Sequence, residues 1–92
     1  MQYRPTNQFI QTWIKKFGNR PDEEILKKYL NEAYVITKGR YWDGVTIHLI
    51  LYIPQINLIF ICDHRNKKIL KFSELKKFNE IYKPKKGEGH VI

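Results

Sequence analysis

The sequence predicts an α+β fold: an N-terminal αα-hairpin packed on a three- to four-stranded antiparallel sheet, followed by a short C-terminal helix. Three observations lead there. Two apolar stripes at helical period come first. Three runs rich in Ile, Leu, Val and aromatic residues follow, separated by short polar turns. A last helical stripe begins after Ser73. The 92 residues make one domain, expected at 1–84, with 85–92 as a flexible basic tail.

The first helix rests on Phe9, Ile10, Trp13, Ile14 and Phe17, which fall at i, i+1, i+4, i+5 and i+8 and so share one face. Thr6 or Asn7 can cap it, and Gly18-Asn19 stops it. Ile25, Leu26, Tyr29, Leu30 and Ala33 repeat the same template in the second helix. Pro21 suits its first position, with Asn19 as cap and Asp22, Glu23 and Glu24 complementing the helix dipole. Neither short helix can bury its stripe alone, so a flat apolar surface must lie beneath them.

The sheet supplies that surface. Tyr34 to Thr37 is a short strand and Lys38-Gly39 reads as a turn. Tyr41 to Ile53 is a long strand, Pro54 to Asn57 a turn, and Leu58 to Asp63 the next strand. His64 to Lys67 turns the chain into a strand from Lys68 to Phe72. Ser73 suits the cap of a last helix carrying Leu75, Phe78, Ile81 and Tyr82, which Pro84 ends. Val45 to Cys62 is 18 residues without a charge, but Pro54, Gln55 and Asn57 interrupt it, and a hairpin accounts for it better than a membrane span. The opening Met1 to Thr6 is polar and has no apolar core of a signal peptide. A cytoplasmic protein without a membrane partner is the expectation.

Register follows from the hairpin. With Ile53 opposite Leu58, Leu51 faces Phe60, Leu49 faces Cys62 and His48 faces Asp63. Val45, Ile47, Leu49, Leu51 and Ile53 then form an aliphatic face for the helices. Thr46, His48, Ile50 and Tyr52 point the other way with Ile59, Ile61 and Asp63, leaving a polar concavity beside His48.

Charge narrows the functional classes. The formal net charge is +8, from 17 Lys and Arg against 9 Asp and Glu, which favours polyanion partners, RNA or DNA first. Thirteen of the basic residues are Lys, beside 13 Ile, a composition that an AT-rich genome would also produce. Residues 64–86 hold nine basic residues against Glu74 and Glu80. They read either as a solvated face or as a phosphate-contacting rim carrying Arg65, Lys67, Lys68, Lys71, Lys76 and Lys77. Arg40, Tyr41 and Trp42 could add a phosphate contact and stacking surfaces, or Trp42 could plug the core.

His48 and Asp63 are the first candidates for catalysis, since a carboxylate can orient an imidazole for proton transfer; a structural strand-edge pair is the alternative. His64 follows in a turn and is expected in solvent. The lone Cys62 excludes an internal disulfide and a cysteine-rich zinc module, and is expected to be structural. Three scattered histidines make no metal-ligand set, and no phosphate-binding or dinucleotide loop is present, so no cofactor is expected.

The segments FIQTWIKKFGNRPDEEILKKYLNEAYVI and YWDGVTIHLILYIPQINLIFICDHRNKKILKF, two helices then a sheet, resemble the RelE/ParE-like toxins and the barnase-like and colicin-D-like small nuclease domains, including phage-encoded relatives. The resemblance covers Phe9 to Phe72 and is one of pattern. It implies a metal-independent ribonuclease acting on RNA through general acid/base residues and cationic stabilisation, with an acidic antitoxin or immunity protein as a partner; the candidates in this sequence, none of them carried over by motif, are His48, Asp63, His64, Arg65 and Lys71. Two departures stand beside it: Arg4-Pro5-Thr6-Asn7-Gln8 has no His before the first helix, and the arginine-rich strand of RelE-like toxins is missing. The alternative is a non-catalytic phage or mobile-element accessory protein that binds an acidic protein or a nucleic-acid complex. The sequence leaves the oligomeric state open.

Overall fold

The computed structural model describes residues 2–40 and 46–77. Its elements run β1 (Arg4–Pro5), α1 (Asn7–Phe17), α2 (Glu23–Asn31), β2 (Tyr34–Arg40), β3 (Ile47–Ile53), β4 (Leu58–Asp63) and β5 (Lys68–Glu74). A helical turn opens at 75–77, where the last helix was expected to begin. The expected Tyr41, Trp42 and tail features lie outside the described residues.

The class is α+β as predicted, but the sheet has five strands, in the order β1-β5-β4-β3-β2. It is also not wholly antiparallel. β1 lies parallel to β5, with Arg4 beside Lys68 and Pro5 beside Ile69. The Arg4 amide donates to the Lys67 carbonyl at 3.0 Å, and the Thr6 amide donates to the Ile69 carbonyl at 3.0 Å. Pro5 has no amide hydrogen to give, which an edge strand tolerates.

Helix boundaries follow their caps. The Thr6 hydroxyl accepts the Phe9 amide at 3.2 Å. Gly18 closes α1 at φ 84°, and its amide donates to the Ile14 carbonyl at 2.7 Å. No atom lies within 4 Å of where a Cβ would sit on Gly18, so backbone conformation, not space, favours glycine there. The cap of α2 is Asp22 rather than Asn19: its carboxylate accepts the Glu24 and Ile25 amides at 2.9 and 3.1 Å. A carboxylate at the cap satisfies free amides and meets the positive helix end, so the helix starts at Glu23, two residues beyond Pro21.

The β3–β4 register is the predicted one, with His48 opposite Asp63, Leu49 opposite Cys62, Leu51 opposite Phe60 and Ile53 opposite Leu58. Lys38-Gly39 does not turn the chain. It continues β2, paired with Leu49 and His48. Ser73 is no helix cap either, because β5 extends through it to Glu74 and pairs Ser73 with Ile59. Cross-strand pairing to a buried neighbour outweighs the local turn and cap preferences in both places.

One face of the sheet carries the helices. Phe9 and Trp13 of α1 and Leu26 and Leu30 of α2 pack with Tyr3, Leu49, Leu51, Ile53, Phe60, Cys62 and Ile69. The Phe9 ring meets Phe60 edge-on at 5.2 Å and Phe72 at 5.4 Å. Ile69 and Phe72 reach this same face because the β4–β5 register shifts between Ile61 and Cys62, leaving Leu70 as the extra residue. On the other face Ile50, Ile59 and Ile61 are buried, with Ile36 and Tyr52 packed against them.

Candidate nucleic-acid interface

The 64–67 turn gathers the polar residues. Asp63 ends β4, and its carboxylate accepts the amides of Arg65 and Asn66, each at 3.1 Å, and the Asn66 side-chain amide at 2.8 Å. Burial alone would raise the Asp63 pKa. The hydrogen bonds from Asn66 and Arg65, together with the charge of His48, hold it below the usual carboxylate value. Lys67 completes the turn at φ 56°, a left-handed conformation uncommon for a residue with a Cβ.

His48 and Asp63 form the expected cross-strand pair, but they do not line an open concavity. They are only 3% and 8% exposed, and the Asp63 carboxylate is occupied by its turn. The pair is packed into the β3–β4 end of the sheet. Thr37 is buried on the same face of the sheet, opposite Ile50.

His64 differs from expectation too. It is half-buried, and its backbone amide donates to the Ile47 carbonyl at 2.8 Å. Its Nδ1 lies 2.8 Å from the Tyr3 hydroxyl, 61 residues away in sequence. Burial lowers the His64 pKa, and the charges of Lys38 and Lys67 lower it further against the opposing charge of Asp63. Tyr3 is itself buried, its pKa raised by burial and by Cys62 and Asp63, and the Lys67 ammonium sits 5.4 Å from its ring centre. The Cys62 thiol nearby is pushed up to about 12 by burial, which leaves it a packing group.

Exposed cations surround this Tyr3–His64 pair. Arg4 stands beside Lys68 in the β1–β5 pairing. Lys67 covers the Tyr3 ring, and Lys38 reaches the His64 field from β2. Arg65 occupies the turn, and Lys27 of α2 shares a hollow with Tyr3 and Arg4. All of these cations are exposed. Two carboxylates of this region have partners, Asp63 within its turn and Glu24 beside Lys27 at 3.7 Å.

The basic stretch expected to form one rim is divided by the sheet. Arg65, Lys67 and Lys68 lie at the Tyr3–His64 end. Lys76 and Lys77 lie past the other end of β5, near Lys16 and Leu58. Six strand steps separate Lys68 from Glu74, about 20 Å. Lys71 lies between them, opposite Ile61 and half-buried. Arg40 ends β2 beside Ile47. Sequence reasoning missed Tyr3, Arg4, Lys27 and Lys38, since a two-residue parallel strand leaves no periodic signal.

Among the described residues, no three His, Cys, Asp or Glu side chains converge as metal ligands, and no helix is long and apolar enough to cross a membrane. No family model, curated protein or solved structure matches the chain.

Proposed function

We propose that the protein binds nucleic acid, RNA first, through the end of the sheet formed by Arg4, Lys27, Lys38, Arg65, Lys67 and Lys68. One observation carries this reading: exposed cations from four parts of the chain line the same end of the sheet, from Arg4 on one edge strand to Lys38 on the other, on either side of a hydrogen-bonded Tyr3–His64 pair. Clustered exposed cations neutralise backbone phosphates and release counterions, which is the main source of affinity in such complexes. Genome composition alone would enrich lysine without directing it to one place.

A second reading, metal-independent RNA cleavage of the toxin type, is favoured by His64. Its depressed pKa keeps the imidazole neutral near pH 7 among cations that would stabilise a pentacoordinate phosphate. His64 is better positioned for this than His48, which is buried.

Incubation with total RNA at low and high salt, with and without EDTA, tests both readings. Intact RNA retarded at low salt and released at high salt supports binding. EDTA-resistant cleavage supports the second reading. No retention at low salt overturns both and leaves an acidic protein, such as an antitoxin or immunity protein, as the partner to test.

A further inference from the structure

β2 ends the sheet among the described strands, so one side of Tyr34–Arg40 has no strand beside it. An open edge of this kind templates pairing with another chain unless charge, proline or shortness blunts it. The first half of β2 is not blunted by charge. Three of the five exposed large hydrophobic residues among the described ones lie on or beside it: Tyr34 at 65%, Val35 at 54% and Leu75 at 37% exposure. With Ile36 and Tyr52 they line a hollow of about 220 Å³ that has no charged residue in its wall. We propose that this edge binds a second copy of the chain, the two β2 strands lying antiparallel across a two-fold axis at Val35. The inference goes beyond the nucleic-acid reading and does not rest on it.

The order of residues along the edge favours a second copy over an unrelated strand. Residues 33–37 carry no charge, and Glu32 and Lys38, both exposed, flank them. Read in reverse, the stretch complements itself. With Val35 on the axis, Tyr34 comes opposite Ile36 of the second copy, and each Glu32 comes opposite a Lys38. Elsewhere the net charge of +8 repels a like copy, so an uncharged edge is where two copies can approach.

Both faces of the sheet suit this arrangement. Val35 pairs with Leu51 and so leaves β2 on the helix-bearing face, where it meets its counterpart. Tyr34, opposite Tyr52, and Ile36, packed on Ile50, Ile59 and Ile61, leave on the other face. There Tyr34 of the second copy lies over the Ile36 side of the hollow. Ile36 is also the extra residue of a bulge against β3, which limits regular pairing to Tyr34–Ile36. The long side chains of Glu32 and Lys38 meet without strict register. Glu32 accepts a hydrogen bond from the Gln55 side chain and keeps acceptor positions for an ammonium. Lys38 belongs to the cation end of the sheet as well. The antiparallel arrangement sends the two cation ends to opposite sides of the axis, and Arg4, Arg65, Lys67 and Lys68 of each copy stay open.

Sedimentation velocity of the full chain, from low micromolar to millimolar concentration, tests this, with amide hydrogen exchange followed alongside. Monomer should give way to a species of twice the mass, and exchange at Tyr34–Ile36 should slow as it forms. Val35→Lys, at an exposed position, should abolish the dimer and leave thermal unfolding at low concentration unchanged. Glu32→Lys and Lys38→Glu should each weaken association about fivefold or more, and the chain carrying both should regain wild-type association within about twofold. A monomer at every concentration overturns the proposal, as does a dimer that survives Val35→Lys. A double reversal that fails to restore association overturns the two-fold register.

Discussion

The hydroxyl of Tyr3 lies 2.8 Å from Nδ1 of His64, and this contact ties the N-terminal segment to the turn that follows β4. Tyr3 is buried while His64 stays half-buried, so the pair is anchored from below and reachable from above. The groups facing His64 are Tyr3 from the N-terminal segment, Lys38 from β2, Asp63 from β4 and Lys67 from the turn.

That environment predicts pH-linked binding. Burial, Lys38 and Lys67 hold the His64 pKa below 6.5, so the free protein favours the neutral ring and loses a little stability as pH falls through the depressed value. A bound phosphate offsets the lysine charges and raises that pKa, so binding takes up a proton. Affinity for a single strand should rise about three- to tenfold from pH 8 to pH 6, with His64→Gln removing the rise. Anisotropy titrations at fixed ionic strength measure it. A pH-independent wild type would show that no phosphate comes near His64.

Lys67 combines a strained backbone with a useful charge. Its φ of 56° costs roughly 1–2 kcal/mol for a residue with a Cβ. Lys67→Gly should therefore hold or raise stability, by up to about 1 kcal/mol once the extra freedom of the unfolded glycine is counted. Strand binding should weaken about threefold or more. Thermal unfolding beside binding separates the two effects, and a large loss of stability would show that the ammonium over Tyr3 supports the fold.

Asp63 should matter to the fold more than to chemistry. Asp63→Ala removes the acceptor for three donors in the turn, and a loss of about 2–3 kcal/mol is expected in urea unfolding. Because its pKa is lowered in the folded protein, its contribution is present above 3.8 and lost as pH falls through the folded value. Asp63→Asn should flatten the acid limb of the stability profile. An unchanged profile would mean that other carboxylates set it.

Phe9 is fully buried against Phe60 and Phe72. Phe9→Ala should cost about 3–5 kcal/mol, a large part of the stability of so small a domain. Calorimetry would show it as a strongly lowered or absent transition, and a mild effect would mean that α1 contributes little to the core.

Much of this fold can be read from local pattern. The stripe from Phe9 to Phe17 and the alternation through Leu49, Leu51 and Ile53 place both helices on one sheet face, and the Pro54–Asn57 turn sets His48 against Asp63. What escapes is non-local. β1 is two residues long and pairs with a strand more than 60 residues away, so Tyr3 and Arg4 give no sign of joining His64 and Lys68. Ser73 has the chemistry of a helix cap, yet the buried Ile59 opposite it keeps it in β5. The compact run of charge in the sequence is likewise split where it is described, because β5 sets Arg65, Lys67 and Lys68 at one end of the sheet and Lys76 and Lys77 past the other.

The salt dependence of single-stranded RNA binding, compared between the two ends, tests the central claim most directly. With four or five phosphate contacts at the Tyr3–His64 end, log K should fall against log salt with a slope of about −3. Lys38→Glu with Lys67→Glu should weaken binding more than tenfold and reduce that slope by about 1.4. Lys76→Glu with Lys77→Glu, at the far end of β5, should change affinity less than about twofold. Equal losses from the two double variants, or a wild-type slope near zero, would contradict the account.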